Sequence, residues 1–391
     1  MGKTSAAINH INRAPAEKRF MYITPFLDEA DRIIASCPSK KFVQPQPYGS
    51  KLRDIKRLIG KGRNIVSTHA LFQMFDHEIM DLLRLHNYTL IMDEVANVVE
   101  PLQISSKDLS TILEKYTAIT EDHLLQWTDP EYRGEFDHYR FLIEINAVYY
   151  YSGTALLWMF PVETFKAFDE VYILTYMFDA QIQRYYYDFN NVTYKYLYVT
   201  GDSLDTYEFT EDPVKYDLSK YKDLIHILDH QKLNSIGDDE FALSKSWYER
   251  NANNECMTVA KNALYNFFRA IVKTPSSDNL WTTFKDFKGS LSGKGYARGF
   301  LSLNARATNA YRHCTSLAYV ANRYLNTIIK NFFVQHEVRV EEDAYALSEL
   351  IQWMFRSQIR DGKPIDIYIP SRRMRELLQR WMEECAQTKI E

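Results

Sequence analysis

Only four cysteines, Cys37, Cys256, Cys314 and Cys385, occur in 391 residues, and they lie far apart with no C-x-x-C pair to hold zinc or exchange disulfides. A reduced, cytosolic setting is therefore the expectation. The chain also lacks any uninterrupted apolar run of about 18 residues, and its N-terminus has no apolar core of the signal-peptide kind. These features argue against membrane insertion and secretion. Excess positive charge is missing as well, since the formal net charge is -4. Any nucleic acid must then be held by a local basic groove rather than by the protein's overall field. No internal repeat or low-complexity tract breaks the sequence. What is present is ordinary for a folded protein: 46% hydrophobic and 25% charged residues, in a chain longer than one core usually supports. Two domains are expected, divided as 1–165 and 166–391.

Short apolar runs at 20–24, 64–68 and 88–92 alternate with helical stretches, which is the rhythm of a parallel α/β sheet with crossover helices. Similar runs at 171–176 and 365–369 predict a second sheet. Between them, residues 182–230 are rich in Tyr, Asp and Lys, and polar helical sequence follows to about residue 275. This segment, about 182–285, reads as a partly helical insertion in the second domain. Gly289, Gly293, Gly295 and Gly299 then punctuate a basic loop.

Chemistry is concentrated in a few motifs. Met1-Gly2-Lys3-Thr4 matches the second half of the phosphate-binding loop G-x-x-x-x-G-K-[ST], and Ser5 to Ile11 can continue as its helix. Gly2 lets the backbone close on phosphates, Lys3 reaches their outer oxygens, Thr4 offers a hydroxyl to Mg²⁺, and the helix N-terminus favours the anion. By itself the tetrapeptide is more often an ordinary solvated tail. The run 88–92 ends in Asp93-Glu94, where a parallel sheet presents ligands at its carboxyl edge. Asp93 can hold Mg²⁺, and Glu94 can accept a proton from the water that attacks a γ-phosphate. Ser152-Gly153-Thr154 follows another apolar run and puts small hydroxyls, Ser152 and Thr154, where they can relay hydrogen bonds, although a turn or cap reads similarly. Near the end, Gln352, Arg356 and Arg360 fall at i, i+4 and i+8 of an expected helix, and two guanidinium groups on one stripe suit phosphate oxygens. An exposed salt-bridging face is the plain alternative.

In their order along the chain, these motifs resemble those of a superfamily 2 helicase of the DEAD/DEAH-like kind carried by phages and prophages. Lys3 and Thr4 match motif I; the segment from Thr24 and Pro25 to Glu29 looks like Ia; Ser67-Thr68-His69 looks like Ib; Asp93-Glu94 matches II and Ser152-Gly153-Thr154 matches III. In the second half, Asn304 to Asn309 is similar to motif V and Gln352 to Arg360 to motif VI, which here lacks its glycine and has its last arginine one residue late. The likeness implies two tandem RecA-like domains that use ATP and Mg²⁺. Gly2, Lys3, Thr4 and Ser5 would hold the nucleotide, Thr4 and Asp93 the metal. Glu94, Gln352, Arg356 and Arg360 would be catalytic, and Ser152 and Thr154 would couple the domains. Pro25, Thr68, His69, Arg306, Thr308 and Asn309 would touch single-stranded or forked DNA, with RNA as the other candidate and replication proteins as further partners. The same likeness leaves the phosphate loop and its preceding strand incomplete, so a start within motif I and weak ATP binding are expected.

The function so read is ATP-driven unwinding or translocation in phage replication or recombination. A packaging-type motor ATPase is the first alternative, and a nucleic-acid-binding remnant the second. His226 and His230 read as a surface helix, Asp238-Asp239-Glu240 as a solvated loop, and the tyrosine triplets 149–151 and 185–187 as packing residues.

Overall fold

The computed structural model describes residues 2–25, 27–47, 49–151, 155–305 and 309–387. It divides the chain into two compact units, residues 1–214 with 326–340, and residues 215–325 with 341–391.

The first unit is built on a fully parallel sheet. β1 (Arg19–Thr24), β2 (Ile65–Thr68) and β3 (Tyr88–Asp93) are joined by a strand much later in the sequence, β9 (Glu170–Leu174), in the spatial order β2-β1-β3-β9. Each is nearly continuous in apolar residues because both faces are covered. Alternation assigns Phe20, Tyr22, Ile91 and Leu174 to one face, where they pack with Ala7 and Ile11 of the helix α1 (Lys3–Arg13) and with Ala30 and Ile33 of α2 (Leu27–Ser36). Met21, Ile23, Leu90 and Met92 are buried on the opposite face.

Between β3 and β9 the chain leaves the sheet for a small antiparallel layer: β4 (Val99–Pro101), the hairpin β5 (Thr117–Ile119) and β6 (Leu125–Trp127), then β7 (Val148–Tyr151) and β8 (Ala155–Met159), with β4-β8-β7 paired in that order. A further hairpin, β10 (Tyr198–Thr200) and β11 (Glu208–Thr210), follows the buried helix Ile182–Phe189, in which Tyr185, Tyr186 and Tyr187 are core residues as expected. The helix Thr327–Gln335 completes the unit, with Phe332 packed against Phe189 at a ring separation of 5.1 Å.

The second unit has its own parallel sheet, β12-β15-β14-β13, from β12 (Ile225–Ile227), β13 (Asn279–Thr282), β14 (Ser316–Tyr319) and β15 (Ile365–Tyr368). Trp281, Ala318, Val320 and Tyr368 pack with Tyr248, Phe267, Phe268 and Tyr296 in its core. The last of the clustered glycines explains itself sterically: a β-carbon on Gly299 would stand 1.7 Å from the Asn279 carbonyl oxygen, so only glycine lets this turn lie on β13.

The expected class, α/β with parallel sheets flanked by helices, is what the chain adopts. Three boundaries are corrected. The run 171–176 does not start a second sheet; it is the β9 edge of the first, paired residue by residue with β3. The first unit therefore continues past residue 165 to Val214. Nor is 182–285 an insertion in the second domain, because residues 182–214 belong to the first unit and the remainder supplies β12 and β13 of the second sheet. Short, edge-like strands such as β12 carry too few residues to announce their sheet.

Candidate active site

All four strands of the first sheet bring their carboxyl ends to one edge. β1 ends on Thr24, whose cross-strand partner is Thr68 at the end of β2, and β3 ends on Asp93, level with Leu174 of β9. Asp93 follows Ile91 by two residues and so shares its face, the one covered by α1 and α2. Burial pushes the Asp93 carboxyl up to about 7; Glu94 and Glu29 push the same way, and the cations Arg32 and Lys3 pull against them. Lys3 of α1 and Asp93 thus act on one another within a common field. Arg32 is anchored to Glu29 at 2.8 Å. Two hydroxyls on the same face, those of Tyr22 and Thr24, are buried without hydrogen-bond partners among the described residues. Burial, and after it Asp93 and Glu29, holds the Tyr22 hydroxyl well above its ordinary value, so it stays a proton donor.

Gly2 caps α1 in the left-handed region (φ 90°, ψ -8°), without a side-chain hydrogen bond to the first turn, and that turn contains no acidic residue. A left-handed residue followed by a helical one turns successive N–H groups towards a shared concavity that suits an anion. Thr4 and Ser5 sit half-buried in that first turn. The Thr4 hydroxyl and the Asp93 carboxylate are hard oxygen donors of the kind Mg²⁺ takes, and the N–H concavity suits phosphate, so the residues present fit both expected ligands.

Glu94 has φ 67°, in a region that residues with a β-carbon seldom occupy. Its neighbours hold it there. Its N–H donates to the Leu174 carbonyl at 3.1 Å, its Oε2 accepts from Thr175 Oγ1 at 3.4 Å, and two residues on the Ala96 N–H donates to Gln183 Oε1 at 2.8 Å. Such strain gathers where a side chain must be aimed. His69 faces the same corner: its Nε2–H donates to the Asp93 carbonyl at 3.0 Å, which ties the turn after β2 to the carboxylate pair. Thr68 caps the short helix His69–Phe72, its Oγ1 accepting from the Leu71 N–H at 3.4 Å, and Pro25 lies half-buried in the turn after β1. Pro25, Thr68 and His69 therefore border the edge that carries Asp93.

Thr175 and Gln183 were missed by sequence reasoning. A signal for Thr175 existed, since it is a hydroxyl directly after an apolar strand, the very pattern that selected Ser152-Gly153-Thr154. Ser152, Thr154, Arg306 and Thr308 lie outside the described residues.

In the second unit the expected stripe of Gln352, Arg356 and Arg360 is not one helix face. The helix Glu342–Met354 ends before Arg356, which lies in a turn closed by its N–H to the Trp353 carbonyl at 3.1 Å; Ser357 then caps a separate 3-10 turn, Gln358–Asp361. Missing glycine does not stop the helix here; the Phe355 to Ser357 turn does. Gln352 is left in the last helical turn and half-buried. Arg360 is exposed and donates through Nη1 to Asn309 Oδ1 at 2.9 Å, so two expected site residues far apart in sequence do meet. Beside them, Arg312 grips Asp361 through two nitrogens. His226 and His230 do not share a helix; the first is on β12, 3.3 Å from Asp366, and the second caps the helix Gln231–Asn234.

The fold and edge define an α/β protein of two parallel-sheet units with an acidic-basic cluster at the carboxyl edge of the first. Residues 219–382 match the family model of the YonV C-terminal Rossmann-like domain. Along nearly its whole length the chain is 40% identical to the SPbeta prophage-derived uncharacterized protein YonV of Bacillus subtilis (strain 168), over 397 residues that cover 98% of this chain and 96% of the relative. It belongs to the YonV family. Among solved structures it is similar to the chain named XPD_APO, with a TM-score of 0.47 and 11% identity over 96% of this chain and 97% of that one. A second, named XPD_Helicase, aligns with a TM-score of 0.40 and 10% identity over 97% and 88% of the two chains.

Proposed function

We propose that this protein hydrolyses ATP and uses the cycle to move along or unwind nucleic acid, most simply DNA. The observation that carries the reading is that Lys3, in the first turn of α1 behind the left-handed Gly2, acts electrostatically on the half-buried Asp93 at the end of β3, which the left-handed Glu94 follows. Phosphoryl transfer needs little covalent chemistry from a protein; it needs charge neutralisation and a positioned water. Gly2, Lys3 and the first turn of α1 would receive the phosphates, and Thr4 with Asp93 would hold Mg²⁺, which when bound neutralises charge on the phosphate oxygens. Glu94 is the general base in this scheme. Its positive φ and its bond from Thr175 aim a carboxylate away from the ladder, and Thr175 can report the state of that carboxylate to β9. Movement on nucleic acid extends this reading to Pro25, Thr68 and His69, which border the same edge, and to Asn309, Arg356 and Arg360 of the second unit.

The test is phosphate release from ATP with and without single-stranded DNA. Glu94→Gln should bind nucleotide as the wild type does and hydrolyse it about a hundredfold more slowly, as the loss of a positioned base does. Lys3→Ala should lose nucleotide affinity as well. Turnover that survives both substitutions would refute the site, and turnover that is indifferent to DNA and RNA would refute the motor.

A further inference from the structure

The hairpin β10–β11 is laid along α1. Asn9 Nδ2 donates to the carbonyls of Leu204 and Tyr207, both at 2.9 Å, and Arg13 reaches the Asp205 carbonyl at 3.2 Å and the Glu208 carboxylate at 3.1 Å. Phe209 stacks on Tyr172 of β9 with ring centroids 5.7 Å apart, so the hairpin is fastened to the sheet as well as to the helix. These anchors deliver one side chain to the phosphate-binding turn. The ring of Tyr207 lies so close to Gly2 that a β-carbon there would stand 2.7 Å from its Cδ1 and 2.8 Å from its Cε1.

Gly2 is thus constrained twice, by its left-handed φ and by an aromatic wall. We propose that Tyr207 is a positioning residue for the nucleotide's phosphates: its ring holds Gly2 in the conformation that turns the first N–H groups of α1 inwards, and it forms one wall of their concavity. The hairpin is then a strap across the phosphate-binding turn. The assignment rests on the ATP reading above. It goes further by giving a working role to a segment, residues 198–210, that no motif covers. Independent of the helix end, the Thr24 hydroxyl at the end of β1, on the sheet face that α1 covers, is fully buried and has no hydrogen-bond partner among the described residues.

The experiment uses the full chain, titrated with a fluorescent ATP analogue and Mg²⁺ and assayed for ATP turnover. Tyr207→Ala should raise the Kd and the KM for ATP about tenfold while kcat falls less than threefold, because the ring shapes binding and touches no reacting atom. Tyr207→Phe keeps the ring and should recover most of the loss. Asn9→Ala, which removes the two hairpin bonds made by Asn9 but leaves those of Arg13 and the stacking of Phe209, should shift KM in the same direction by a smaller factor, and it serves if the alanine variant at 207 does not fold. A wild type that binds ATP with Tyr207→Ala and Asn9→Ala equally tight would overturn the strap and leave the ATP reading standing. A fall confined to kcat would also overturn it. A wild type that does not bind the analogue would overturn both.

Discussion

Two parallel sheets in one chain finish their carboxyl edges in opposite ways. In the first unit Asp93 lies in the shared field of Glu94, Glu29, Arg32 and Lys3, and its carboxyl is pushed up to about 7. Buried hydroxyls without hydrogen-bond partners among the described residues occur at both edges, Tyr22 and Thr24 in the first and Thr282 and Tyr319 in the second, so the charges make the difference. In the second unit the corresponding edge is closed by matched pairs. Arg323, after β14, meets Glu349 at 3.1 Å and the Tyr345 hydroxyl at 2.8 Å. Arg373, after β15, reaches Asp343 at 2.9 Å, Asn322 Oδ1 at 3.0 Å and the Arg323 carbonyl at 2.7 Å, and its guanidinium lies 4.2 Å over the Tyr324 ring. Charge left unbalanced at an edge calls for a ligand to complete it, whereas charge balanced within the fold serves the fold.

Breaking a matched pair should have the largest effect. The side chains of Arg323 and Glu349 are 14% and 13% exposed, so Arg323→Ala strands a largely buried carboxylate and should destabilise the protein by about 3 to 5 kcal/mol in urea unfolding. Replacing both partners, Arg323→Met with Glu349→Leu, should restore stability to within about 1 kcal/mol of the wild type, since an apolar pair leaves no charge behind. A single variant as stable as the wild type would show that this edge is solvated and the contrast with the first unit false.

The unbalanced edge should respond in the opposite sense, through pH. Asp93 is raised from its ordinary 3.8 to about 7 in the folded protein, so folding favours its neutral form. At pH values below about 4 the group is protonated in both states and exerts no penalty. As pH climbs from 4 to 7 the unfolded chain ionises while the folded one resists, and stability falls; above 7 both are ionised and the loss is complete, at no more than about 4 kcal/mol. Asp93→Asn removes the penalty. The variant's stability advantage over the wild type should therefore be small at pH 4.5, grow steadily, and level off above pH 7. An advantage that is constant with pH would mean that Asp93 ionises as freely folded as unfolded.

Much of the first unit was legible because its strands are continuous apolar runs that end in polar candidate residues, as β3 does at Asp93-Glu94. What failed was assignment by distance along the chain. The run 171–176 is read as a strand and overlaps β9 (Glu170–Leu174), yet nothing local reveals that it returns across an antiparallel excursion to pair with β3, and so Thr175 was overlooked. Periodicity likewise carried the helix Glu342–Met354 through Arg356 to Arg360, because i, i+4 spacing cannot register a turn built by backbone bonds at Trp353 and a cap at Ser357. Tyr207 had no signal at all: one tyrosine among 28 acquires its place only when the hairpin folds back on α1.

The smallest expected effect tests whether the carboxylate pair is held under strain. Glu94 sits at φ 67°, which costs a residue with a β-carbon about 1 kcal/mol relative to glycine. Glu94→Gln and Glu94→Gly both delete the charge that helps raise Asp93, so the electrostatic relief is common to the two. They differ in the β-carbon, and in the side-chain bond from Thr175 that glutamine can keep and glycine cannot. That bond is long, at 3.4 Å, and contributes less than the strain. Glycine also frees the unfolded chain, which offsets part of its advantage. Glu94→Gly should therefore be the more stable of the two by a margin of up to about 1 kcal/mol at the same pH, while neither hydrolyses ATP at more than about a hundredth of the wild-type rate. If glutamine proves equal or better, the backbone at residue 94 is not forced into the left-handed region, and the pair is aimed by side-chain contacts rather than by a strained turn.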